Sequence, residues 1–381
     1  PADVVATVRA CSELEIPLVP WGAGTGLSGG ALALRDGVML SLARMNRVLD
    51  IDLDNRTATV QPGVTNLAIT EAVKDRGFYY APDPSSQLAC TIGGNVAENS
   101  GGVHCLKYGV TTNNVLGLEV VLIDGETVRL GGKAMDQAGY DLLALLTGSE
   151  GLLAVITEVT VRLLRRPEMA RAIMAVFDSI ETAGKAVADT IGAGLVPAGM
   201  EIMDRLSIGA VEGFVHAGYP TDAEALLLVE LDGPASEVEQ QIGVLEALLR
   251  DSGARELRVS TSEEDRLKLW AGRKAAFAAM GKVSPDYYCM DGTIPRGKLP
   301  EVLSRIDELS ERFGLRVANV FHAGDGNLHP LVLYDGNVPG ELEKAEMLGA
   351  EILKYCVEVG GVLSGEHGIG IEKRDLMPCM F

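Results

Sequence analysis

The chain has 381 residues, 47% apolar and 23% charged, with 53 acidic against 33 basic side chains for a net charge of −20. That length exceeds one ordinary hydrophobic core, so two domains of a soluble globular protein are expected. The acidic balance argues against nucleic acid or anionic lipid as a direct partner, no apolar run reaches the roughly 18 residues of a membrane span, and the first residues show no basic-then-apolar leader.

Six cysteines (Cys11, Cys90, Cys105, Cys289, Cys356, Cys379) are scattered without a Cys-x-x-Cys pair, which excludes the usual iron–sulfur and zinc-ribbon spacings. Reduced thiols in the cytoplasm are the expectation. The start at Pro1 and the end at Phe381 suggest a fragment.

In chain order, residues 2–13 carry helical periodicity and Ile16-Pro17-Leu18-Val19 reads as a strand. The loop Pro20-Trp-Gly-Ala-Gly-Thr-Gly-Leu-Ser-Gly-Gly30 follows, with five glycines that let backbone N–H groups approach a phosphate. Tight turns also collect glycine, so two readings stand here. A nicotinamide-type fingerprint is a poor fit, because such a loop opens a helix, whereas this one leads to a second strand, Val38 to Leu42. Val48 to Asp52 and Thr57 to Gly63 alternate like strands about an Asp54-Asn55 turn, and Leu67 to Lys74 reads as a helix. A second cluster, Thr91 to Gly102, follows Ala81-Pro82-Asp83-Pro84-Ser85-Ser86, and a third, Thr147-Gly148-Ser149-Glu150-Gly151, precedes the β-branched run from Val155 to Val161. Three such loops in one domain suit a long, extended dinucleotide.

These segments, with Ile92-Gly93-Gly94-Asn95 and Gly148-Ser149-Glu150-Gly151 at their centre, resemble the flavin-binding domain of the vanillyl-alcohol-oxidase-type FAD family. Trp270-Ala-Gly-Arg-Lys274, Tyr287 to Pro295, His322 to Pro330 and Ser364-Gly-Glu-His-Gly-Ile-Gly370 are similar to its D-2-hydroxyacid dehydrogenase branch, which includes the FAD-linked subunits of bacterial glycolate oxidases. The resemblance implies an α+β fold: a two-part flavin-binding domain over residues 1–166, lacking the family's first strand–helix unit, and a substrate or cap domain with an antiparallel sheet over 167–381, lacking the family's C-terminal Asn-Pro-Gly segment. It implies non-covalent FAD held by Gly22, Gly24, Thr25, Gly26, Leu27, Ser28 and Gly29, with Asp83, Ser85, Gly93, Gly94, Asn95, Ser149 and Ile156 near the flavin. No histidine lies in the first loop, where many relatives attach the flavin; His104 lies near the second, and a covalent bond there stands beside an ordinary solvent-bonded or buried imidazole.

Beyond Arg171, strand-like runs (173–177, 225–231, 287–294, 316–321, 331–334) alternate with amphipathic helices (180–191, 236–249, 263–280, 298–313, 340–359), and the boundary is expected at Arg165-Arg166-Pro167. His322 and His329 flank a Gly-Asp-Gly-Asn turn. They either end strands and satisfy backbone groups or, with Glu366, form a site of two imidazoles and a carboxylate suited to Zn²⁺, Mn²⁺ or Fe²⁺. The relatives place a divalent metal on these positions. Oxidation of a 2-hydroxy acid needs a proton acceptor, for which His367 is the candidate, its alternative being a third imidazole ligand. Arg273 either clamps the substrate carboxylate in bidentate fashion or lies on a solvated helix face, and Asn327 is a further candidate substrate contact.

The expected activity is oxidation of glycolate, or of D-lactate, to the 2-oxo acid; a non-catalytic flavin-binding subunit is the rival. Relatives carry lysine near Cys289 when the substrate is D-2-hydroxyglutarate, which argues against a dicarboxylate here. The resemblance further implies an iron–sulfur subunit and a second flavin-like subunit as partners, through which the protein would reach the inner membrane.

Overall fold

The computed structural model describes residues 1–134 and 139–381, which group into two compact units. One comprises Pro1–Arg166 with Glu366–Arg374, the other Pro167–Gly365 with Asp375–Phe381. The run beginning at Glu366 packs with the first unit, where its backbone finds acceptors, described below.

In the first unit a five-stranded antiparallel sheet runs in the order Val48–Asp52, Thr57–Val60, Val155–Arg162, Val115–Val121, Thr127–Gly131. Within Val155–Arg162, Ile156, Val159 and Val161 pack with Ile69, Ile92 and Val96 from two helices, Asn66–Val73 and Ile92–Glu98, whereas Val155 joins Val4, Val8, Leu42 and Val121 in a second cluster. Leu18–Trp21 and Val38–Ser41 pair in parallel, so the glycine loop does join two strands rather than start a helix. The helix expected over 67–74 ends at Val73 and tightens into a 3₁₀ turn, Lys74–Arg76, closed by Gly77 in the left-handed region.

The second unit is a nine-stranded antiparallel sheet whose main path runs Glu256–Val259, Met169–Phe177, Ala225–Gly233, Gly199–Asp204, Val317–His322, Asn327–Leu328, Gly292–Thr293. Pro330–Tyr334 pairs with both Val317–His322 and Asp286–Cys289. Ile173, Phe177, Ile202, Leu227 and Phe321 are fully buried, each contributing about 1.5–3 kcal/mol relative to exposure. Helices including Ile180–Gly192, Ala235–Asp251, Glu263–Met280, Leu299–Phe313 and Glu341–Glu358 match the amphipathic pattern closely. Glu263–Met280 starts on Ser262, whose hydroxyl accepts from Asp265 N, with three acidic residues in its first turn.

Two local differences matter. The stretch 287–294 is not one strand: it breaks between Asp286–Cys289 and Gly292–Thr293, because Asp291, fully buried, accepts from Ser364 Oγ at 2.7 Å and Gly365 N at 3.1 Å. The strand Gly199–Asp204 and the helix Arg205–Val215 fall where periodicity assigns no element. That strand is central and buried on both faces, so it lacks the alternation that marks a half-exposed strand.

Candidate active site

The three glycine-rich loops of the first unit converge. Gly148 N donates to Val96 O and Glu150 N to Ala97 O, both at 2.8 Å, and a Cβ at Gly22 would stand 2.5 Å from Thr91 Oγ1. Within the first loop the glycines have different jobs. Gly24 takes φ +68°, and a Cβ there would lie 2.8 Å from the Trp21 ring, whereas at Gly26 a Cβ would meet nothing within 4 Å. Among the described residues no protein group accepts the backbone N–H groups of Gly22 to Gly30, and the buried hydroxyls of Ser28 and Thr147 also lack partners. A run of unspent donors around open space fits the diphosphate of FAD.

The other residues expected near the flavin are arranged less uniformly. Gly93 N donates to Pro62 O at 2.8 Å and a Cβ at Gly93 would meet Pro62 at 2.6 Å, so close packing of its helix already requires this glycine. Gly94 N is held by Thr91 Oγ1, and the buried Asn95 side chain bonds Asn66, Cys90 and Ser100. Ile156 is a buried strand residue, Ser149 N donates to Leu146 O, and Ser85 is exposed. Asp83 is engaged by His104, whose Nδ1 is 2.8 Å from Oδ2 and whose backbone N donates to Oδ1 at 3.1 Å.

Glu150 has a role that the sequence does not announce. Its two oxygens accept from Ile369 N at 2.8 Å and Gly370 N at 2.7 Å, while Ser28 O accepts from Ile371 N at 3.0 Å. The segment after His367 is thereby tied both to the third loop and to the first. Glu98 shares this corner: a Cβ at Gly368 would touch both carboxylates. Burial first, and the Glu150 charge second, push the Glu98 carboxyl up to about 7, with Lys373 opposing them. Glu366 also faces this unit, its Oε2 lying 2.5 Å from where a Cβ on Gly101 would sit.

In the second unit the turn between Val317–His322 and Asn327–Leu328 pairs His322 with Asn327 and brings His322 and His329 together, ring centroids 5.0 Å apart and nearly perpendicular. Both imidazoles are buried, as is Arg273. The solvated-face reading of Arg273 therefore does not hold, because its helix turns this residue inward with Leu269, Trp270 and Ala276. Arg273 Nε donates to Glu201 Oε2 at 2.7 Å; Nη2 is equally close to that oxygen but not aligned for a second hydrogen bond. Glu201 Oε1 is 2.7 Å from His322 Nδ1. His329 Nδ1 lies 3.9 Å from Asp291 Oδ1. Asn327 Oδ1 is buried without a partner, and a Cβ at Gly365 would come within 2.5 Å of it and of Thr293 Oγ1.

Thus His322, His329, Arg273 and Asn327 belong to one unit, and Glu366 and His367 to the segment grouped with the other, joined to Gly365 by a single peptide bond. Glu201 and Glu150 are the residues that sequence reasoning passed over. For Glu201 a signal existed: one acid inside the apolar run Gly199-Met-Glu-Ile-Met203.

Residues 166–381 match the family described as FAD linked oxidases, C-terminal domain, and residues 1–131 match the FAD binding domain family. The glycolate oxidase subunit GlcD of Escherichia coli (strain K12) is 59% identical over 379 residues, covering 100% of this chain and 76% of the relative. A D-lactate dehydrogenase of Anaerostipes hadrus is 34% identical over 384 residues, covering 98% of this chain and 81% of the relative. In fold, the chain is similar to p-cresol methylhydroxylase with substrate bound, at TM-score 0.80 and 17% identity over 96% of this chain and 79% of that one.

Proposed function

We propose, from the premise that this chain belongs to the FAD-linked oxidases, that it oxidises a small 2-hydroxy acid to the 2-oxo acid, glycolate in preference to D-lactate. The observation that carries the reading is the buried Arg273, paired with Glu201, which in turn meets His322 of the paired imidazoles His322 and His329. A buried guanidinium carries five N–H donors, more than one carboxylate oxygen can use, so it can also anchor a substrate carboxylate, and the imidazoles linked to it through Glu201 suit the adjacent hydroxyl oxygen. The higher identity to a glycolate oxidase subunit favours glycolate.

FAD, when bound, would supply the acceptor for the hydride that leaves C2 of the substrate. Gly22 to Gly30, with Ser28 and Thr147, would hold its diphosphate. A divalent ion is part of this reading: the buried imidazoles His322 and His329, with Glu366 as the expected carboxylate, would hold it, and it would supply Lewis acidity toward the substrate oxygens. Arg273 binds and orients the substrate carboxylate, Asn327 supplies a buried amide oxygen as an acceptor, and an imidazole nitrogen of His367 takes the hydroxyl proton.

The relative in Escherichia coli is named as a subunit, and we place this chain likewise in a multisubunit enzyme, with an iron–sulfur subunit to pass electrons on and a second flavin-like subunit. No helix among the described residues is long and apolar enough to cross a membrane. In this reading the protein is cytoplasmic and its partners make the membrane contact. The test is a dye-linked assay of the full-length protein against glycolate, both lactate enantiomers and 2-hydroxyglutarate. Glycolate with the highest kcat/KM is the expected result, a D-lactate preference moves the assignment within the family, and no turnover of any of them defeats it.

A further inference from the structure

The side chain that organises the second unit's polar cluster is Glu201, which lies outside the motifs and has no assigned part in the proposed reaction. It stands in the strand Gly199–Asp204, directly opposite His322 in the antiparallel pairing with Val317–His322, so the two side chains project from the same face of the sheet. Both neighbours along its strand, Met200 and Ile202, are buried, and the Glu201 side chain itself is fully enclosed. A carboxylate in such a place is unfavourable unless its oxygens are used. Here Oε1 meets His322 Nδ1 and Oε2 meets Arg273 Nε, each at 2.7 Å.

We infer that Glu201 is the positioning residue of this site, one oxygen keeping the His322 proton on Nδ1 so that Nε2 presents its lone pair, the other fixing the Arg273 guanidinium in orientation. The inference rests on the proposed roles of His322 as a metal ligand and Arg273 as a carboxylate anchor. A carboxylate can only accept, so the nitrogen it faces must be the protonated one, and the neutral imidazole's other nitrogen is then the ligand atom. Carboxylates behind ligating imidazoles typically change metal affinity 10–100-fold when removed. The same carboxylate balances the charge of a buried Arg273 and fixes the guanidinium from its Nε–Nη2 side.

Glu201→Gln separates this role from simple packing. Glutamine is nearly isosteric but offers one acceptor oxygen, so it can serve His322 or Arg273 and not both, and its NH₂ meets an N–H donor on the remaining side. In the FAD-loaded full-length protein, Zn²⁺ affinity measured against a chromophoric chelator falls 10–100-fold in Glu201→Gln, or KM for glycolate rises at least tenfold, with flavin content unchanged. Glu201→Asp, which keeps both oxygens, recovers part of the loss and controls for a folding defect. Zn²⁺ affinity and KM both equal to wild type would overturn the inference. If wild type binds no Zn²⁺, or His322→Ala binds it as well as wild type, the metal reading is what fails. Glu201 is then judged on the ¹⁵N spectrum of labelled histidine: a His322 signal of the Nδ1–H tautomer that shifts in Glu201→Gln sustains its role, and an unchanged one removes it.

Discussion

Gly370 donates its backbone N–H to Glu150 at 2.7 Å, joining positions 220 residues apart, and its neighbour Ile369 donates to the other oxygen of the same carboxylate. Glu150 itself holds φ 55°, a left-handed conformation unfavourable for a side chain with a Cβ. A strained residue with both oxygens committed to one turn is a clamp on the segment that carries His367. Glu150→Ala removes two bonds to a charged acceptor, each worth about 1.5–3 kcal/mol, so the Ile369 and Gly370 amides should exchange with solvent at least about tenfold faster. Hydrogen-exchange mass spectrometry of the peptide spanning 366–374 checks this, and unchanged protection would show that other contacts hold the turn.

Glu98 makes the protein's stability pH-dependent in a direction opposite to most carboxylates. Its folded-state pKa stands near 7, above the ordinary 4.5, because burial and then Glu150 disfavour its charge. The folded state therefore holds a proton that the unfolded chain has released, and this contribution is lost as pH rises from about 4.5 through about 7. Thermal melts of Glu98→Gln should show a flatter decline across that window and a higher Tm than wild type at pH 8. Parallel curves for the two proteins would place the ionisation elsewhere.

Gly24 and Gly26, two residues apart in the first loop, should fail differently when replaced by valine. At Gly24 the added atoms strike Trp21 and φ +68° is strained, so Gly24→Val should lower the melting temperature of the apoprotein. At Gly26 the added atoms enter open space, so Gly26→Val should leave the apoprotein's melting unchanged and abolish FAD uptake. Flavin titration by fluorescence quenching distinguishes them; stoichiometric uptake by Gly26→Val would reduce the loop to a turn.

The flavin should come free of the protein on acid precipitation. His104 is engaged with Asp83 through both its ring and its backbone, and Cys105 is buried. Yellow colour retained in the pellet would identify one of them as a covalent anchor.

His367→Asn should keep metal and FAD while kcat falls by ~10²–10⁴ and loses its ionisation near neutral pH, the loss expected of a general base. Arg273→Lys gives the contrast. Lysine cannot offer two parallel N–H groups, so KM rises while the pH profile keeps its shape. Metal loss in His367→Asn would make that imidazole a ligand instead.

What the sequence determined by itself was whatever depends on neighbours along the chain. The helix over residues 263–280 was legible to the residue from its periodicity, and the structure starts it on Ser262 with an acidic first turn. The glycine loop was legible as a strand-to-strand connection because a helix start was missing after it. The Gly-Asp-Gly-Asn turn between His322 and His329 was legible as one that can bring them to one side, and the structure pairs them, with Gly326 at φ +79°. The tertiary structure alone decided the long-range partners. His322 meets Glu201 across 121 positions through strand register, and Ile369 meets Glu150 across 219. A buried central strand shows no alternation to reveal which face a residue takes, and a backbone N–H has no sequence signature at all, so which carboxylate receives it is settled only when the chain is folded.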